Sequence, residues 1–341
     1  MTKAAFYEGN KTFTVESVSI SPPKEDEVQI RVAYCGICGT DVHVYHGHMD
    51  ARVGTHRVIG HEMSGVIHAV GDDVKGVTLG DRVVVRPLNH CCDCSTCQRG
   101  LKHICENLKF LGLDTDGAFQ EYWSVPAHTI HHLPDEVSLA HAAIVEPLAV
   151  ACHDINRARV VTGEDVLVIG GGPIGMLIAM VAREIGAKVT ICEIDEKRIA
   201  YAQGLGFNAR HAKDGDLVEQ LHSDTDGRGF NAIFDTSGVQ AGVDLFTQVS
   251  ASQARICMVA IHTSKPTIDL FKFFWQELEL LGARVYEDTD FEYAIRLLRE
   301  GKVNPDDVII DKHSLDDIQS AFIPPKDLSM KTLIAVNSEL N

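Results

Sequence analysis

The sequence predicts an α/β protein made of a β-rich part and a doubly wound parallel sheet. Three observations carry this. Short alternating strands separated by glycine and aspartate turns fill the chain to about residue 150. From Ala151 onward, apolar strands alternate with helical stretches, as in parallel βαβ units. A glycine-rich turn joins the first of those strands to the first of those helices.

The elements follow in order. In "EVQIRVAYCG", Val28, Ile30 and Val32 fall on one face, the period of a strand with one side buried. "GVIHAVGDDV", "GDRVVVRP" and "GAFQEYWSVP" are further short strands, and together they suggest a small barrel-like domain. "DVLVIGGGPIGMLIAMVAREIGA" is then an apolar strand, a turn and a helix; "KVTICEID" and "EKRIAYAQGLG" repeat the pair; "NAIFDTSG" and "ARICMVAIH" are later strands. The alternation ends near "LELLGARVY". Beyond it, "FEYAIRLLREGKV" places Phe291, Ala294, Ile295 and Leu298 at helical spacing. This tail is short for a domain of its own and is expected to return to the first one. The expected division is a discontinuous domain of residues 1–152 and 283–341 around an insert of residues 153–282.

Composition narrows the function. The 341 residues include 31 basic and 48 acidic ones, a net charge of −17 with no basic cluster, which excludes nucleic acid as the expected partner. No apolar run approaches the roughly 18 residues of a membrane span. The opening "MTKAAFYEGNKTF" has neither the apolar core nor the cleavage site of an export signal, so a cytoplasmic protein is expected. Ten cysteines without such a signal argue against a disulfide framework, and five of them lie between Cys91 and Cys105.

Residues 170–175, Gly-Gly-Gly-Pro-Ile-Gly, satisfy G-x-G-x-x-G between a buried strand and a helix, the context that the dinucleotide fingerprint requires. Gly170 permits the tight turn, Gly172 leaves room for a pyrophosphate, and Gly175 lets helix and strand pack closely. The free N–H groups at the helix start, after Pro173 and Ile174, favour phosphate. An acid about 20 positions on should bond the ribose hydroxyls. Glu193 and Asp195 both stand at that distance, and Glu193 directly follows the apolar strand. A carboxylate there repels the extra phosphate of NADP, so NAD is expected, with Arg198 as a further cofactor contact.

In "CCDCSTCQRGLKHIC", Cys91, Cys94, Cys97 and Cys105 match a closed tetrahedral zinc site, structural because its shell is full. Four cysteines also serve iron–sulfur clusters. Cys92 has no assigned role. The stretch "YCGICGTDVH" places Cys35, Cys38, Thr40, Asp41 and His43 close together and reads as a redox pair, half of a metal site, or a tight turn that happens to hold cysteines.

"GICGTD", "GHEMSGVI", the four-cysteine loop, "IVEPLAV" and "VLVIGGGPIG" occur in the order seen in zinc-dependent medium-chain dehydrogenases, which the chain resembles over nearly its whole length. It is most similar to the polyol, sugar-acid and threonine dehydrogenase branch. The resemblance implies a GroES-like β-rich catalytic domain beside a Rossmann domain. It implies two zinc ions per chain. A catalytic one is held by Cys38, His61 and the carboxylates Glu62 and Glu146 with a position open to substrate, and a structural one by the four-cysteine loop. Cys35 is then a buried strand residue. Thr40 matches the family's relay hydroxyl, and His43 is the next relay member or a substrate contact. Asp41 orients a neighbouring group. Arg284 matches a position near substrate or cofactor, where it would bond hydroxyls or a carboxylate. Thr55-His56 departs from the family's usual aromatic–proline pair. The expected reaction is hydride transfer from a secondary alcohol of a polyol or sugar acid to NAD, giving a ketone. The alternative substrate is threonine or another amino alcohol or vicinal diol. The expected partners are this small-molecule alcohol and further copies of the chain, as a homodimer or homotetramer, with "ARICMVAIH" as the strand at the interface.

Overall fold

The computed structural model describes residues 1–323, 328 and 330–340. Two compact units form: Met1–Pro147 with most of the chain from Glu287 onward, and Leu148–Tyr286. The first limit falls a few residues before the one expected because a single helix, Val145–Ala158, runs across it.

In the first unit the strands begin with β1 (Thr2–Gly9), β2 (Thr12–Val18), β3 (Glu27–Gly36), β4 (Glu62–Val70), β5 (Arg82–Val85), β6 (Leu88–Asn89), β7 (Lys109–Phe110), β8 (Tyr122–Pro126) and β9 (Ile130–His132). The second unit contributes β10 (Asp165–Ile169), β11 (Lys188–Glu193), β12 (Asn208–His211), β13 (Phe230–Asp235), β14 (Ser250–Met258) and β15 (Glu279–Gly282). The chain then returns to the first unit for β16 (Ile309–Ser314) and β17 (Lys331–Ala335).

The main sheet of the first unit runs β16-β17-β3-β4-β5-β9, with β8 also paired to β3. β3 is its hub, antiparallel to β4, β8 and β17. Val28, Ile30 and Val32 are buried, but so are Gln29, Ala33 and Cys35, so β3 is covered on both faces rather than one. The returning tail sets Leu333 opposite Gly36. Its helix Asp288–Arg299 buries Phe291, Ala294 and Leu298 of the expected stripe, while Ile295 is only half-buried and Leu297 is buried in addition.

The second unit is a parallel sheet of order β12-β11-β10-β13-β14-β15, the doubly wound arrangement. Every residue of β10 is buried, as a strand covered on both faces requires. The order reverses between β10 and β13, and such a switch point is where ligands lie against the carboxyl ends of the strands. The expectation for "ARICMVAIH" is corrected here: β14 lies inside the sheet, between β13 and β15, and the edge strand on that side is β15. Apolar content reflects a strand covered on both faces there, not one offered to a partner. Among the described residues, no helix is long and apolar enough to cross a membrane.

Candidate active site and cofactor site

The four-cysteine loop is built locally. Cys91, Cys94, Cys97 and Cys105 bring their sulfurs within 4.8 Å of one another. Backbone N–H groups turn inward onto sulfur: Cys94 donates to Cys91 at 3.4 Å, Cys97 to Cys94 at 3.4 Å, and Asn107 to Cys105 at 3.3 Å. Backbone N–H groups of Asp93 and Cys94, with the Asn107 amide, hold the Cys91 thiol down at about 6, while burial pushes Cys97 up to about 12. Inward-facing N–H donors around clustered sulfurs fit thiolates that share one metal ion. Cys92 is exposed beside them at a φ of 60°.

A second cluster joins residues far apart in sequence. Cys38 caps the helix Gly39–Tyr45, while His61 and Glu62 stand at the start of β4. Donor atoms of Cys38, His61 and Glu62 lie within 4.8 Å of one another. β3 and β4 create this meeting, because Gly36 is in register with Glu62. A Cβ on Gly36 would collide with Glu62 Oε2, so only glycine leaves room for that carboxylate. Asp41 is fully buried behind the cluster. Its Oδ2 accepts the Cys38 N–H at 2.9 Å, and its Oδ1 lies 3.6 Å from His61 Nδ1. Glu146, 6% exposed at the start of the helix Val145–Ala158, is near enough to act on His61.

The charge balance indicates what this cluster fits. Burial works against a charge on His61, yet Asp41, Cys38 and Glu146 outweigh it and hold the imidazole well above its ordinary basicity. Lys331 is 3% exposed and donates to Glu62 Oε1 at 2.7 Å, Glu62 Oε2 at 2.8 Å and the Ile37 carbonyl at 3.1 Å. Burial again opposes its charge, and Glu62 and Cys38 outweigh it. One lysine balances one carboxylate. Buried His61 Nδ1 and Asp41 Oδ1 lack hydrogen-bond partners. Sulfur, imidazole and surplus buried negative charge fit a divalent metal.

In the second unit, Gly170 has a φ of 106°, in the region that favours glycine, and a Cβ on Gly175 would collide with the Gly170 carbonyl. Gly172 precedes the helix Pro173–Ile185, with Pro173 and Ile174 in its first turn. A Cβ on Gly172 would meet only Arg198, at 3.7 Å. The two candidate acids separate clearly. Asp195 caps the next helix, accepting from the N–H groups of Lys197 and Arg198. Glu193, at the end of β11, turns to the glycine loop: its Oε2 accepts the Gly171 N–H at 2.8 Å and lies 3.6 Å from Arg198.

Comparison with known proteins agrees with this geometry. Residues 24–135 match the alcohol dehydrogenase GroES-like domain, and residues 173–300 match the zinc-binding dehydrogenase family. The chain belongs to the zinc-containing medium-chain dehydrogenases. A relative from Pseudoalteromonas atlantica, 2-dehydro-3-deoxy-L-galactonate 5-dehydrogenase, is 48% identical over 98% of this chain and 99% of its own. D-arabitol-phosphate dehydrogenase of Enterococcus avium is 32% identical over 89% of this chain and 88% of its own. A Sinorhizobium meliloti protein solved with bound NADP superposes with a TM-score of 0.92 at 28% identity, over 98% of this chain and 99% of that one.

As a medium-chain dehydrogenase the chain is an oxidoreductase, and the remaining predicted residues can be placed in it. Thr40 is half-buried in the first turn of the helix after Cys38; His43 stands one turn on, exposed, with its Nδ1 3.3 Å from His48 Nδ1. Cys35 is fully buried on β3, where burial raises its thiol far above the ordinary range. His56, in the departing Thr55-His56 pair, stacks on Phe6 at 4.3 Å and bonds Glu8 at 2.9 Å, outside the Cys38 cluster. Arg284 is exposed in the second unit, beside Val285 at a φ of 53°. The sequence reading missed Lys331; its signal was a single cation opening the apolar strand "KTLIA".

Proposed function

We propose that this dehydrogenase oxidises a secondary alcohol of a sugar acid to a ketone and passes the hydride to NAD. The observation that carries the chemistry is the meeting of half-buried Cys38 with buried His61 and Glu62. The sugar-acid reading draws support from the 48%-identical relative named for a galactonate derivative. Cys38, His61 and a carboxylate, Glu62 or Glu146, hold the metal, with Asp41 fixing the loop of the first and facing the ring of the second. A zinc ion there supplies Lewis acidity to the alcohol, and the nicotinamide ring supplies the hydride acceptor. The alcohol's proton leaves through Thr40 and then His43. These lie at i and i+3 on one helix face, and His43 opens to solvent. Gly170, Gly172, Pro173, Ile174 and Gly175 cradle the pyrophosphate, with Arg198 beside them. Glu193 takes the ribose hydroxyls and disfavours the added phosphate of NADP. Arg284 is the candidate for a substrate carboxylate.

Two further readings accompany this one. The protein acts in the cytoplasm, which suits a chain with ten cysteines. It assembles as a homodimer or homotetramer through the β15 edge. The open ladder there, with exposed Leu280, suits pairing with a second copy, and exposed Leu270, Phe271, Phe274 and Trp275 form a second apolar face in the same unit.

The test is the rate of NAD reduction with aldonic and deoxy sugar acids, neutral polyols, their phosphates and threonine, repeated with NADP. Highest kcat/KM for a sugar acid with NAD is expected. Preference for threonine, or for NADP, overturns the corresponding half of the proposal.

A further inference from the structure

At the switch point of the second unit, one buried carboxylate joins two loops. Asp235 ends β13 and is fully buried. Its Oδ1 accepts from the loop that follows: the Ser237 N–H at 2.9 Å, the Ser237 hydroxyl at 2.6 Å and the Gly238 N–H at 3.4 Å. Its backbone carbonyl reaches the loop after β14, accepting the N–H groups of Val259 at 3.1 Å and Ala260 at 3.0 Å. Its other carboxylate oxygen, Oδ2, lies 3.1 Å from His262 Nε2, on an imidazole only 13% exposed. A carboxylate only accepts, so Nε2 is the ring nitrogen that carries the proton. The two loops touch: a Cβ on Gly238 would stand 3.2 Å from both the Ala260 Cβ and the Ile261 carbonyl oxygen. Thr236 ties the first loop to the glycine turn. Its N–H and its hydroxyl each donate to the Ile169 carbonyl at 2.9 Å, and the hydroxyl lies 3.1 Å from the Gly170 carbonyl.

Sheet order decides which half of a dinucleotide these loops face. A dinucleotide lies across the switch point, with one nucleotide against each half of the sheet. Glu193 ends β11, on one side of β10, and takes the adenosine ribose on the proposed reading; β13 and β14 lie on the other side. The loops joined at Asp235 are therefore left to the nicotinamide nucleotide. We propose that Asp235 and His262 are positioning residues that hold the loops after β13 and β14 together as the floor for the nicotinamide half of the cofactor. This rests on the reading of the second unit as the dinucleotide site. The backbone carbonyl fixes the start of the second loop, and the imidazole anchors its far end. Without the imidazole, a buried carboxylate oxygen loses its partner, and the loop that carried the donor is released.

The test uses the intact, zinc-loaded protein and compares wild type, His262→Ala, His262→Gln and Glu193→Ala. Affinity for NADH is measured by fluorescence titration. Affinity for ADP, which lacks the nicotinamide nucleotide, is measured by calorimetry. His262→Ala should weaken NADH binding by roughly tenfold, the effect of stranding one buried acceptor, and leave ADP binding unchanged. His262→Gln, whose amide can donate from the place of the imidazole Nε2, should restore NADH affinity. Glu193→Ala should weaken ADP and NADH together. A His262→Ala protein that binds NADH as the wild type does, or that loses ADP affinity in equal measure, overturns the proposal. So does a His262→Gln protein no better than His262→Ala, or a Glu193→Ala protein with unchanged ADP affinity. Wild-type protein that binds neither ADP nor NADH overturns the dinucleotide reading beneath it.

Discussion

The two donor clusters of the first unit differ in how the chain makes them. The cysteine loop takes all four sulfurs from one stretch, Cys91–Cys105, and closes around them with its own backbone N–H groups. The Cys38 cluster draws on the end of β3, the start of β4, the helix at Glu146 and the returning strand at Lys331. On the proposed reading, local construction gives a full shell, and non-local construction gives a centre with a position left open to substrate.

Four experiments press on this contrast. Cys38→Ser should have the largest effect. Loss of Lewis acidity worth several kcal/mol, at about 1.4 kcal/mol per tenfold, lowers turnover by roughly a thousandfold or more. Dinucleotide affinity, measured by fluorescence titration, should remain. Cys97→Ser should act instead on stability. The loop should lose its metal and the unfolding midpoint should fall, by about 2–4 °C for each kcal/mol lost, while the second unit keeps its affinity for NAD. Equal losses of turnover and stability in both variants would erase the distinction.

The third experiment concerns the returning tail, which supplies Lys331 to the non-local centre. His131 on β9 stacks on Phe291 of the returning helix at 5.0 Å, and burial with the nearby Arg86 lowers its pKa from 6.5 to about 4. The unfolded chain binds this proton through that window and the folded chain does not. Stability is therefore whole above the unfolded value and falls by roughly 3 kcal/mol as pH drops through the window. His131→Phe should flatten that slope in urea unfolding measured above and below it; an unchanged slope would assign the acid sensitivity elsewhere. The smallest effect should come from Gly175→Ala, which touches neither cluster. A Cβ driven against the Gly170 carbonyl should cost about 1–3 kcal/mol and weaken NAD binding by calorimetry while leaving both metals in place.

The sequence was legible wherever structure is local. Cysteine spacing marked the closed loop, and a glycine turn between strand and helix marked the dinucleotide unit. Helical spacing in the tail marked the stripe at Phe291, Ala294 and Leu298. Non-local features were hidden. Cys38 and His61 stood out only through resemblance to a family, since no spacing rule places β3 beside β4. Lys331 carried no signal beyond an unexpected cation on an apolar strand, because its partner lies 269 residues away. The same limit misplaced β14, whose apolar run fits an edge or an interior position equally until its neighbours are known. Glu193 and Asp195 could be ordered by strand position, but only the fold shows Asp195 capping a helix and Glu193 facing the glycine loop.

The most direct test of the two-centre account is the zinc content of the purified wild type and of Cys38→Ser by plasma mass spectrometry, with turnover measured on the same samples. The account predicts metal at both sites in the wild type, and in Cys38→Ser metal at the cysteine loop alone, with turnover lost. A Cys38→Ser protein that keeps its full complement of zinc and its activity would contradict it.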